Sequence, residues 1–76
     1  MAIDAVVHWN DGRKETVKLR NFSEDGCRIE SDVDFRIGEC LEIDVPRLGQ
    51  MKAQVRWAFG GSAGAKFLVE SDVEQR

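Results

Sequence analysis

Little in this sequence supplies a reactive centre. It holds one histidine, two cysteines and one proline, and no apolar run approaches the ~18 residues a membrane helix requires. A Ser-His-acid triad would have to be built on His8, yet no serine sits in nucleophile-elbow spacing. A zinc site would have to gather His8, Cys27 and Cys40 from separate segments, without the paired spacing that marks such sites. The glycine cluster at 60–64 lacks the Lys-Ser/Thr ending of a phosphate-binding loop. No enzyme, metal, cofactor or membrane insertion is therefore expected.

Two thiols are too few for a disulfide framework, so Cys27 and Cys40 are expected to be free and largely buried. No basic-apolar-small leader precedes Asp4, which with the thiols suggests a reducing cytoplasm. Positive charge is also scarce, at 11 cations against 14 anions, and a net charge of −3 argues against general affinity for nucleic acid or an anionic membrane. The exception is residues 13–20, RKETVKLR, where Arg13, Lys14, Lys18 and Arg20 face only Glu15.

The 76 residues make one small domain. Ordering them costs on the order of 100 kcal/mol at ~1.5 kcal/mol each, so nearly every apolar side chain must enter one core. Those side chains recur at every second position, the period of a strand. Ile3, Ala5, Val7 and Trp9 define the first, which places His8 on the opposite face. Asn10-Asp11-Gly12 turns the chain into a second strand over Lys14–Arg20, with Val17 and Leu19 inward.

After the polar loop NFSEDG at 21–26, Cys27, Ile29 and Ser31 alternate again. Residues 32–38 read as a loop closing one end of the core. Leu41, Ile43 and Val45 form a strand that Pro46 ends, because proline offers the ladder no donor. Met51, Ala53, Val55, Trp57 and Phe59 make the longest alternation, all predicted to point inward. A hairpin connection over 60–64 leads to Ala65, Phe67 and Val69, and residues 70–76 read as a frayed tail. Six strands with no helical period imply an all-β fold, a small six-stranded antiparallel β-barrel whose closure removes exposed edges.

The inward aromatics are then core rather than stacking platforms for a nucleic acid strand. Phe22, placed in the polar loop, is expected to plug a barrel end. What remains is the junction of the cationic strand with NFSEDG, where an anion is the natural partner. Arginine grips phosphate or the guanine edge with two parallel bonds, Asn and Ser orient a base, and glycine lets backbone approach closely.

The hexapeptide Asn21-Phe22-Ser23-Glu24-Asp25-Gly26 resembles the (D/N)-x-S-x-x-G motif of PilZ domains. Cys27-Arg28-Ile29-Glu30 is similar to the strand that follows it there, and Phe35-Arg36-Ile37-Gly38-Glu39 to the step before the next. Gln54-Val55-Arg56-Trp57 and Gly64-Ala65-Lys66-Phe67 resemble the family's V-R and G-x-[RK]-F ending. The likeness runs from about Ala5 to Val69.

It implies a six-stranded barrel acting as a non-enzymatic receptor for cyclic diguanylate (cyclic di-GMP) that signals to a protein partner. The ligand would be held at the barrel mouth by Asn21 and Ser23. Gly26 would admit it, and Arg20 would add electrostatic support. Ligand-binding members also carry R-x-x-x-R just before the first strand, whereas only Met1-Ala2-Ile3-Asp4 stand there in this sequence. Each arginine contact would supply ~1.5 to 3 kcal/mol, so without the pair affinity is expected to fall by more than about a hundredfold. Arg13 and Arg20 do not match that pair by position. A barrel that binds proteins but not the nucleotide is the alternative.

Overall fold

The computed structural model describes residues 2–68, so the strand end expected at Val69 and the tail at 70–76 lie outside the described residues. Six strands are present, β1 Ile3–His8, β2 Lys14–Arg20, β3 Gly26–Glu30, β4 Cys40–Val45, β5 Gly49–Phe59 and β6 Ser62–Phe67. They close into an antiparallel barrel in the order β1-β2-β3-β6-β5-β4, with β4 returning to pair with β1. None of the described residues forms a helix, so no helix there is long and apolar enough to cross a membrane.

The period-two pattern explains the wall. Val7, Leu19, Ile29, Ile43 and Val55 each come from a different strand and are fully buried, forming the waist of the core. Val17, Leu41, Val45, Ala53, Ala63 and Ala65 complete it. Trp9 stacks on Phe35 at one end, ring centroids 5.7 Å apart, while the Arg13 guanidinium lies 4.6 Å from the Trp9 ring centre. At the other end Phe22 packs on Phe67 at 5.3 Å, the plug expected of it. His8 lies on the outer face, between Lys14 of β2 and Glu42 of β4 in register.

Four expectations are corrected. Trp57 and Phe59 point outward, 44% and 84% exposed. The cause is a β-bulge between Val55 and Trp57: Val55 pairs with Ala65 and Trp57 with Gly64, leaving Arg56 as the extra residue. One extra residue inverts the in/out alternation beyond it, so Ala58 packs against the core instead. The β5–β6 connection is only the two-residue turn at Gly60-Gly61, and Ser62, Ala63 and Gly64 already belong to β6. Cys40 is exposed, since it shares the outward parity of Glu42 while Leu41 and Ile43 take the inward one.

Candidate functional site

The loop between β2 and β3 begins with a backbone reversal. Asn21 sits at φ 53°, a left-handed conformation that asparagine tolerates better than other residues with a Cβ. The Ser23 amide donates to the Gly26 carbonyl at 2.9 Å, and the Asp25 amide donates to Ser23 Oγ at 3.2 Å, so the serine folds the loop on itself. The Phe67 amide then donates to the Asp25 carbonyl at 2.8 Å and fastens the loop to β6. Among the described residues the Asn21 carboxamide makes no hydrogen bond, which leaves its donors and acceptor open to a ligand.

Gly26 is the first residue of β3 and pairs with Lys66. A Cβ there would collide with the Ala65 carbonyl oxygen and reach within 3.2 Å of its carbon. The motif glycine therefore lets β3 approach β6, beyond the loop-shaping role read from the sequence. Gly64, opposite Arg28 on one side and Trp57 on the other, is close-packed too, because the Trp57 indole lies over its outer face.

These features border one open depression of ≈ 450 Å³. Asn21, Ser23 and Asp25 of the loop line it together with Arg28 of β3, Arg56 and Trp57 of β5, and Gly64 and Lys66 of β6. It occupies the outer wall across β3, β6 and β5 and not the barrel mouth, which Phe22 and Phe67 close. Its lining holds three cations, Arg28, Arg56 and Lys66, and one carboxylate, Asp25, while Glu30, outside the lining, bonds Arg28. Although the chain is acidic overall, this surface is locally cationic.

Of the residues singled out from the sequence, Asn21, Ser23 and Gly26 line the depression. Arg20 does not; it lies on the adjacent strand, where its Nε donates to Glu30 Oε1 at 2.8 Å. Sequence reasoning overlooked Arg28, Arg56, Trp57 and Lys66 as parts of one site. The outward parity of Arg28 and Lys66 was available as a signal, but the bulge that turns Trp57 toward them was not. Cys27 borders the site from within, and burial pushes its thiol pKa up to about 11, which makes it a poor nucleophile. Among the described residues no group of three His, Cys, Asp or Glu side chains could hold a metal ion.

The barrel order, the self-bonded loop and the glycine-mediated approach of β3 to β6 coincide with a family comparison: the model of the PilZ domain matches residues 1–76. The chain belongs to the PilZ domain family. PilZ domains are known as receptor modules for cyclic diguanylate, a ligand and not a cofactor. No match was found among curated proteins. In this PilZ domain an exposed indole, three cations and a carboxamide with no hydrogen bond among the described residues share one face. That combination suits a molecule carrying both an aromatic base and a phosphate.

Proposed function

We propose that this PilZ domain is a non-enzymatic receptor for cyclic diguanylate, and that it works in the cytoplasm by passing ligand occupancy to a protein partner. The observation that carries this reading is the Asn21 carboxamide, without a hydrogen bond among the described residues, lining one depression together with Trp57, Arg28, Arg56 and Lys66. Asn21 would bond a guanine edge or the adjoining phosphate, with Ser23 holding the loop and offering its hydroxyl. The Trp57 ring would stack on a base, an interaction worth ~1–3 kcal/mol. Arg28, Arg56 and Lys66 would neutralise phosphate charge, and Arg20 would reinforce them from the adjacent strand. The two unbridged thiols are in keeping with a reducing compartment. Phe59, 84% exposed on the strand that carries Trp57, is a contact available to the partner.

Calorimetric titration of the chain with cyclic diguanylate tests the proposal. A saturable heat that declines with added salt is expected, since phosphate contacts are screened. Absence of heat at high micromolar ligand would reject the receptor reading in favour of an adaptor that binds protein alone.

A further inference from the structure

Arg20 of β2 and Arg28 of β3 are direct register partners on the outer wall, so two guanidinium-bearing side chains face each other across one strand gap. Like charges directly opposed on a sheet repel. Glu30, two residues beyond Arg28 on the same face, resolves the conflict: Arg20 Nε donates to its Oε1 at 2.8 Å, and Arg28 Nη2 donates to its Oε2 at 3.4 Å. Each carboxylate oxygen thus serves a different arginine. The hydrogen bond from Arg20, and after it the charge of both guanidiniums, holds the Glu30 carboxyl below its ordinary value, keeping it ionised at neutral pH. Arg20 immediately precedes Asn21, whose carboxamide makes no hydrogen bond among the described residues, and Arg28 lines the depression, so this charge triangle adjoins the proposed ligand site through Arg28.

We propose that Arg20 and Arg28 form a phosphodiester clamp and that Glu30 is its internal latch, occupying the clamp in the free protein and released when a ligand phosphate arrives. The inference rests on the receptor reading above. A phosphodiester carries one negative charge on two free oxygens, matching a carboxylate in charge and in its capacity to accept from two guanidiniums. The latch is weak enough to open, because exposed ion pairs are held only marginally. It keeps the arginine pair from repelling itself while the site is empty, and it raises the ligand concentration needed for occupancy.

Titration of the whole chain with cyclic diguanylate, as wild type, Glu30→Gln and Glu24→Gln, separates the possibilities. Glu30→Gln should tighten binding about two- to fivefold, the displaced pair being worth at most that much. Glu24→Gln removes the same charge from the neighbouring loop and should change affinity less. In the wild type, saturating ligand should also shift the NMR signal of the Arg20 Nε–H, reporting its exchange of partners. If the wild type binds and Glu30→Gln binds equally or more weakly, the latch is refuted while the receptor reading stands. Equal tightening by Glu24→Gln would refute it too, by showing a general charge effect. If neither protein binds, the receptor reading and the latch fall together.

Discussion

The indole of Trp57 lies directly on Gly64: a Cβ added to that glycine would stand 2.7 Å from indole Cδ1 and closer still to Nε1 and Cε2. Backbone and ring thus form one surface on the outer wall, and the ring keeps its place only while residue 64 lacks a side chain. Gly64→Ala is expected to lift the indole off β6. Forced overpacking costs about 1–3 kcal/mol. Thermal unfolding should register the loss, and tryptophan emission should move to longer wavelength as Trp57 gains solvent. An emission spectrum identical to the wild type would show that the ring does not depend on this contact.

The two tryptophans should separate stability from binding. Trp9 is buried against Phe35, so Trp9→Ala should cost about 3–5 kcal/mol in denaturant titrations. Trp57 is 44% exposed, so Trp57→Ala should cost much less. Its effect should instead fall on affinity for cyclic diguanylate, weakened by about 1–3 kcal/mol through loss of stacking. Equal affinity in Trp57→Ala and wild type would remove the indole from the site.

Asn21 offers a comparable test within a single position. Its φ of 53° strains any residue with a Cβ, and glycine relieves that strain. Asn21→Gly should therefore match or slightly exceed the wild type in stability, and Asn21→Ala should lose about 1 kcal/mol. Both lack the carboxamide, so both should bind the nucleotide more weakly to a similar degree. Unimpaired binding by Asn21→Gly would show that the residue serves the loop alone.

Much of the architecture was legible because strand parity is a local property. Ala5, Val7, Val17, Leu19, Ile29, Leu41, Ile43 and Val45 alternate without interruption, and each is buried as the pattern requires. The same logic failed at Trp57 and Phe59, where the bulge at Arg56 depends on how β5 pairs with β6 and leaves no mark in a period-two pattern. Asn21, Ser23 and Gly26 were accessible as a contiguous motif, but the face they border is assembled from three strands. Gly26 and Gly64 looked like turn or hairpin residues, since nothing along the chain reveals that the Ala65 carbonyl or an indole lies where a Cβ would be.

Acid should expose the Glu30 interaction from the opposite direction. Lys18 and Ser62 are its register partners, and Arg20 and Arg28 hold its oxygens. The folded-state pKa of Glu30 is lowered from the ordinary 4.5, chiefly by the hydrogen bond from Arg20, and Asp11 is likewise lowered from 3.8, chiefly by the Arg13 amide. A carboxyl depressed on folding contributes stability that is fully present above its unfolded value and lost as pH falls through the folded one. Melting temperature should therefore decline below about pH 4.5. Glu30→Gln should melt lower than the wild type at neutral pH and converge with it in acid, where both carry a neutral side chain. Salt should narrow the neutral-pH gap, because the pairs are exposed. The stability change is thus opposite in sign to the expected gain in affinity: the carboxylate that steadies the empty arginine pair is the one the ligand must displace. A gap in melting temperature that persists unchanged into acid would show that position 30 acts through packing and not through its charge.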